Sequence, residues 1–274
     1  MDVQTLNELF FRAVELYDKP DAFRHKVDGA WRNVSHREAL AAVEELSLGL
    51  AELGIQPGDR VAIFGENRVE WALADYAILA AAAVNVPVYS TLPANQVEYI
   101  LANSESRLVF VSSAEHLATI ESIRPRLRPD LVAVAFDAPP ASLAGRGDVL
   151  GFDDLRVRGR AALAREPHLF RARSDRVRAG DMASIIYTSG TTGVPKGVML
   201  SHGNIVSNIL NSLTVLKIDA NDSCLSFPPL CHIFERMAGH YTTFHCGTTI
   251  AYAESIDAVP QNLAEVQPTF LVSV

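Results

Sequence analysis

The chain has 274 residues, 49% hydrophobic and 20% charged, which is the make-up of a soluble globular protein with a sizeable core in one large or two modest units. A net charge of −8 argues against nucleic acid as the main partner, because phosphate-backbone binders are basic, and lends no support to docking on anionic lipid. The longest apolar run, Tyr76–Val84, is nine residues, short of the ~18 that cross a bilayer, and Met1–Gln4 starts no signal-peptide pattern. Cys224, Cys231 and Cys246 lack metal-ligand spacing and read as reduced, partly buried thiols of a cytosolic protein.

In chain order, Leu6, Leu9, Phe10, Ala13, Val14 and Tyr17 recur at helical spacing. Asp28-Gly29 reads as a hairpin turn between Phe23–Val27 and Trp31–Val34. Ser35 and Glu38 form a capping box that launches a helix carrying Leu40, Val43, Leu46, Leu50 and Leu53, ended by Gly54. A strand at Arg60–Phe64, an apolar helix around Trp71–Ala83 and a strand at Val84–Val88 make a βαβ unit. The helix Gln96–Ala102, the strand Leu108–Val111, then Leu117–Ile123 and Leu131–Phe136 continue the alternation. The expected class is therefore α/β, with a doubly wound, mostly parallel sheet and helices on both faces. Asp137–Gly147, rich in Ala, Pro and Gly, reads as a surface excursion. The eight arginines of Arg156–Arg178 are interspersed with acids and read as a solvated helix and connector.

Met182–Tyr187 reads as a buried strand of the same sheet, and the most informative stretch follows it directly: Tyr187-Thr188-Ser189-Gly190-Thr191-Thr192-Gly193-Val194-Pro195-Lys196-Gly197. With a helix beginning near Asn204, the pattern of strand, glycine-rich turn and helix predicts an anion cradle built from backbone amides, hydroxyls and a lysine. It is not the Walker A loop, because Pro195 precedes Lys196 and Gly197 follows it. An ordinary polar surface loop is the plain alternative, but eleven ordered residues of this kind are hard to obtain by chance. Further on, Ser223–Phe227 reads as a strand broken by Pro228-Pro229, His232–His245 as a helix, Thr248–Tyr252 as a strand, Val259–Val266 as a helix, and Thr269–Val274 as the start of another strand.

Tyr187–Lys196, continued by Gly197-Val198-Met199-Leu200-Ser201-His202, resembles the signature of the adenylate-forming superfamily of acyl-CoA synthetases, peptide-synthetase adenylation domains and beetle luciferases. The resemblance implies that Thr188, Ser189, Gly190, Thr191, Thr192 and Gly193 wrap the phosphates of ATP. It implies too that Lys196 balances their charge and that Thr188 helps hold Mg²⁺. Phe227-Pro228-Pro229-Leu230-Cys231-His232-Ile233-Phe234-Glu235-Arg236 is similar to the Pro-Leu-x-His-x-Phe-Glu-Arg pattern of long-chain fatty acyl-CoA synthetases. His232 then stands beside the substrate carboxylate and the α-phosphate, orienting charge rather than acting as a general base. Cys231 replaces a serine common in relatives. Glu235 and Arg236 read as an adjacent structural pair, and Ile233, Phe234, Met237 and Tyr241 as core that borders an acyl tunnel in the family.

The implied activity is that of a long-chain fatty acid–CoA ligase with fatty acid, ATP and coenzyme A as substrates, cytoplasmic, with peripheral membrane association left open. The implied fold is the N-terminal part of the adenylating domain: residues 58–215 form one subdomain with the phosphate loop, and residues 1–57 with 222–274 form parts of the second, leaving an exposed sheet edge at Val274. The downstream family motifs (the Tyr-Gly-x-Thr-Glu segment, the ribose aspartate, the hinge and the small-domain lysine) are absent from residues 1–274, so this piece is expected to be inactive alone. The alternatives are another acyl- or aryl-acid adenylating ligase, and a non-catalytic nucleotide-binding module.

Overall fold

The computed structural model describes residues 3–143, 145–188 and 194–273. Two sheets share the molecule: a seven-stranded sheet with all its strands between residues 60 and 201, and a four-stranded sheet contributed by the two ends of the chain.

The chain opens with helix α1, Leu6–Tyr17, held by a capping box between Thr5 and Glu8. Strands β1, Phe23–Val27, and β2, Ala30–Val34, form an antiparallel hairpin. Asp28 and Gly29 at its tip both have positive φ, 50° and 74°, as the two-residue turn that matches strand twist requires. Ser35 and Glu38 cap helix α2, His36–Glu52, as their spacing predicts.

The large sheet then winds both ways from its centre. Strand β3, Arg60–Phe64, leads through α3, Val69–Ala80, to β4, Val84–Val88. Helix α4, Ala94–Asn103, carries the chain back across β3 to β5, Leu108–Val111. Helix α5, Ala114–Ile123, β6, Val132–Ala135, and β7, Val149–Gly151, extend that side, and α6, Phe152–Arg165, with α7, Leu169–Ser174, return the chain to β8, Met182–Thr188. The order is β7-β6-β5-β3-β4-β8, all parallel, with β9, Lys196–Ser201, antiparallel at the edge. Along β3, Val61 and Ile63 face one core, with α3, while Ala62 and Phe64 face the other, with α4 and α5. Alternate residues of one strand thus serve two buried faces, which is why the strand is apolar throughout. Helix α3 stops at Ala80, earlier than its apolar run suggests, because Ala82 takes a left-handed turn (φ 58°) into β4.

After α8, His202–Ser212, strands β10, Ser223–Ser226, and β11, Thr249–Tyr252, complete the small sheet in the order β10-β11-β1-β2. Between them runs helix α9, π-helical over Glu235–Thr242 and α-helical over Thr243–His245, and α10, Val259–Val266, follows β11. The strand expected at Thr269–Val274 is reduced to one parallel bridge, Cys224 to Phe270, and Val274 lies outside the described residues. An aromatic stack joins the layers: Phe244 of α9 lies 5.2 Å from Phe10, 5.1 Å from Phe23 and 5.3 Å from Tyr76, ring centre to ring centre.

The arginine-rich helix is only half solvated. Arg156 and Arg160 both reach Glu45 of α2, at 2.7 and 3.0 Å. The two helices touch backbone to backbone, since a methyl group on Gly159 would lie 1.6 Å from the Glu45 carbonyl.

Candidate active site

The expected sequence of strand, turn and helix is corrected to two antiparallel strands flanking the phosphate-loop residues. Thr188, the last residue of β8, pairs with Lys196, the first of β9. Helix α8 begins only after β9, and its first amides are taken up locally by a capping box between Ser201 and Asn204. Ser189, Gly190, Thr191, Thr192 and Gly193 lie outside the described residues. The flanking residues are well placed for a polar ligand: Thr188 and Lys196 are both exposed, at the carboxyl end of β8. That end is where open parallel sheets bind ligands, next to the reversal of strand order about β3 and β4.

Helix α4 clamps the base of this hairpin from one side. The Tyr99 hydroxyl donates to the Pro195 carbonyl at 3.1 Å, next to Lys196. The Tyr187 hydroxyl donates to Asn103 Oδ1 at 2.6 Å, and the two tyrosine rings meet edge to face at 6.3 Å. None of these partners is near in sequence, so only the fold brings them together.

His232 is exposed at the end of the Pro228–Cys231 turn that leaves β10. Its amide donates to the Pro229 carbonyl at 2.9 Å, and its own carbonyl accepts from the Arg236 amide at 3.1 Å, so His232 starts α9. The ring Nδ1 accepts the Phe234 amide at 3.2 Å. In neutral imidazole one nitrogen accepts and the other carries the proton, so the donor left over is Nε2–H. The turn is tied to the large sheet by Asn67, in the connection after β3. Asn67 Nδ2 donates to the Pro228 carbonyl at 2.7 Å and to Ser226 Oγ at 3.2 Å, and Oδ1 accepts the Leu230 amide at 2.8 Å. The histidine turn therefore sits against the carboxyl end of β3.

Glu235 and Arg236 do not pair with each other, contrary to the expectation from their adjacency. Arg236 is fully buried and holds Asp75 of α3 through both Nε, at 3.0 Å, and Nη2. Tyr241 donates to the same carboxylate at 2.6 Å, Asn85 at 2.6 Å, and Arg236 Nη1 reaches Ser184 Oγ of β8 at 2.8 Å. Burial alone would lower the Arg236 pKa, but Asp75 and Tyr241 outweigh it and the guanidinium stays charged. Glu235 accepts from Ser226 at 2.6 Å through one oxygen, while Oε2 is buried without a partner among the described residues. Burial, only partly offset by Ser226, pushes its pKa to about 7. Of the side chains assigned to the core here, Tyr241 is buried, Ile233 and Met237 are half-buried, and Phe234 is exposed.

A second polar group at the same sheet edge carried no sequence signal. Ser112, just past β5, donates to Glu66 at 2.5 Å and lies 3.0 Å from His116 Nδ1, whose Nε2 reaches the Ser90 carbonyl at 3.0 Å. With the Ser112 hydroxyl buried, the group ties the ends of β3, β4 and β5 together. The three thiols are buried, and burial pushes Cys231 to about 12 and Cys246 to about 11, and Cys224 higher still, which disfavours the nucleophilic thiolate. No group of acids, histidines or cysteines among the described residues could by itself hold a metal, and no helix among them is long and apolar enough to cross a membrane.

Comparison with known proteins sets these features in a family. A sequence profile described as AMP-binding enzyme matches residues 10–274. Long-chain-fatty-acid–CoA ligase FadD15 of Mycobacterium tuberculosis is 35% identical over 94% of this chain and 42% of its own length. Long chain acyl-CoA synthetase 7, peroxisomal, of Arabidopsis thaliana is 31% identical over 100% of this chain and 39% of its own. This chain thus spans about two fifths of the length of these curated relatives. Among solved structures, the inhibitor-bound N-terminal domain of FACL13 from Mycobacterium tuberculosis superposes with a TM-score of 0.77 at 25% identity, covering 98% of this chain and 62% of that one. Anthranilate CoA ligase AuaEII with anthranoyl-AMP gives 0.79 at 22% identity, covering 97% and 49%, a likeness of fold.

Proposed function

Because the chain belongs to the family of AMP-binding enzymes, we propose that it forms the ATP-binding part of a long-chain fatty acid–CoA ligase. The reaction runs in two steps. A fatty carboxylate oxygen attacks the α-phosphorus of ATP and expels pyrophosphate, giving an acyl-adenylate. The thiol of coenzyme A then attacks the acyl carbon, AMP leaves, and the thiol proton goes to solvent.

The observation that carries this reading is that two polar segments lie at the carboxyl ends of strands in one parallel sheet, with β4 between them. The Thr188–Lys196 hairpin ends β8, and Asn67 ties the His232 turn to the end of β3 in the same sheet. Lys196 supplies charge to the β- and γ-phosphates and keeps the leaving pyrophosphate in place. Ser189, Gly190, Thr191, Thr192 and Gly193, which lie outside the described residues, are assigned to phosphate contact by their motif alone. His232, with Nδ1 engaged by Phe234, offers Nε2–H to the carboxylate and to the charge that develops at phosphorus. That tautomer suits a hydrogen-bond donor and not a proton acceptor. Thr188 presents one hydroxyl for Mg²⁺, which fits an ion that takes few protein ligands and mostly phosphate oxygens and water. When bound, the ion neutralises phosphate charge. The long-chain acid is favoured over an aromatic one by the names of the relatives that reach 35% and 31% identity.

The test is calorimetric titration of the chain with Mg-ATP beside the Lys196→Ala and Thr188→Ala variants. Binding that weakens in both supports the site, and binding unchanged in Lys196→Ala overturns it. Acid-dependent pyrophosphate release by the protein at its natural length decides the substrate. Release with long-chain acids supports the ligase named here, whereas release with aromatic acids alone moves it to the aryl class.

A further inference from the structure

We infer that Asn67 is a positioning residue for His232: its carboxamide straps the Pro228–Leu230 turn to the end of β3 and so fixes where the imidazole stands at the sheet edge. The inference rests on the role given to His232 above.

The turn closes itself only at its downstream end, where the His232 amide meets the Pro229 carbonyl. Pro228 and Pro229 have no amide hydrogen, so the ladder of β10 stops at Ser226 and the next carbonyl and amide need outside partners. One side chain meets that need on both sides. Asn67 Nδ2 donates a hydrogen bond to the Pro228 carbonyl at 2.7 Å and Oδ1 accepts one from the Leu230 amide at 2.8 Å. Only a carboxamide of this length does both at once; a carboxylate would face the Pro228 carbonyl with like charge. Nδ2 also reaches Ser226 Oγ at 3.2 Å, and that hydroxyl donates a hydrogen bond to Glu235 Oε1 at 2.6 Å. The carboxamide thus joins the end of a central strand of the large sheet, the end of β10 and the first turn of α9.

From the strap to the imidazole the chain has little freedom. Leu230 and Cys231 are both buried, and His232 follows, its amide and carbonyl fixed by Pro229 and Arg236. Arg236 is anchored by Asp75. With the downstream side pinned in the core and the upstream side held by Asn67, the position of the ring depends on the strap. Releasing it frees the turn to pivot about Arg236, and the Phe234 amide then no longer selects one tautomer of His232.

The experiment uses isotope-labelled chain, in wild-type form and as Asn67→Ala, Asn67→Asp and Ser226→Ala. Amide exchange is followed at Leu230, and the tautomer-sensitive ring carbons are followed at His232. In Asn67→Ala the Leu230 amide is expected to exchange about tenfold faster, the effect of one lost hydrogen bond, and the His232 ring shifts move toward the solvent average. Asn67→Asp, of the same shape, keeps Leu230 protected through its remaining acceptor yet still moves His232, and it serves if the alanine variant fails to fold. Ser226→Ala weakens the core but leaves both bonds from Asn67 to the turn, so His232 stays as in the wild type. Unchanged His232 shifts in a folded Asn67 variant, or equal shifts in Ser226→Ala, overturn the inference. Adding long-chain fatty acid and Mg-ATP to the wild type tests the role of His232 separately. Silence of the ring there removes that role, while the Leu230 and tautomer results still judge the strap.

Discussion

Arg236 of α9 and Asp75 of α3 form an ion pair in which neither side chain is exposed at all. The pair locks the helix that begins at His232 onto the helix that follows Asn67, and Ser184 on β8 joins through the third guanidinium nitrogen. Removing one partner leaves the other charge buried and alone. Asp75→Ala is expected to cost about 3–5 kcal/mol in urea unfolding. Replacing both residues with apolar side chains of similar volume should recover most of that loss. A loss under about 1 kcal/mol for Asp75→Ala, the value of an exposed pair, would show the pair to be solvated.

Glu235 makes stability depend on pH. Its folded pKa, about 7, stands above its ordinary value of 4.5, so the folded state binds the proton more tightly than the unfolded chain does. The resulting stabilisation is complete below about pH 4.5, falls as pH rises to about 7 and is absent above that. Its size is on the order of 3 kcal/mol. Glu235→Gln should remove this slope and leave the protein more stable than the wild type at pH 8. Parallel stability–pH curves for the two would refute the assignment.

The crossing of α2 over α6 tolerates no side chain at Gly159. A methyl group 1.6 Å from the Glu45 carbonyl must push the helices apart. Gly159→Ala is expected to destabilise by about 3 kcal/mol or more, beyond the usual range for overpacking because the obstacle is backbone. Gly180→Ala is the control, since a methyl there meets nothing within 4 Å. Thermal melts of the two variants settle the comparison.

The tyrosine clamp should act on nucleotide affinity more than on folding. Tyr99→Phe deletes one hydroxyl that holds the Pro195 carbonyl and keeps the ring. A three- to tenfold weaker Mg-ATP affinity is expected, about 1 kcal/mol, with the melting temperature nearly unchanged. Unaltered affinity would mean that the loop does not depend on α4.

These residues also show which parts of the structure can be read from sequence. Helix α1 is legible from the helical spacing of its apolar residues and α2 from the Ser35–Glu38 capping box, although residues 45–50 of α2 are buried all round. Strands β3 to β6 are legible as short apolar runs separated by helices. Strand β9 is not, since Lys196, Gly197, Val198 and Met199 are all exposed at a sheet edge and no burial imposes alternation. The partner of Arg236 has no local cue but adjacency, although Asp75, set among apolar residues in the middle of α3, is a usable signal: a buried carboxylate needs a cation. Asn67 had no such signal, because the Pro228 carbonyl it holds is 161 positions away. The π-helical stretch of α9 also leaves no trace in a pattern read at 3.6 residues per turn. The residues proposed for phosphate contact were legible as a motif and nothing more, since chemistry can be encoded in order alone while geometry is set by distant partners.

The aromatic stack has a thermodynamic consequence for the molecule as a whole. Phe10, Phe23, Tyr76 and Phe244 come from α1, β1, α3 and α9, so elements of the small sheet and of the helical layer on the large one share a single set of ring contacts. No layer can peel away without exposing rings that the other layer also needs. Denaturation should therefore register as one sharp event, with fluorescence and circular dichroism curves that coincide. Whatever the sheet edge binds would raise that one transition for every element at once.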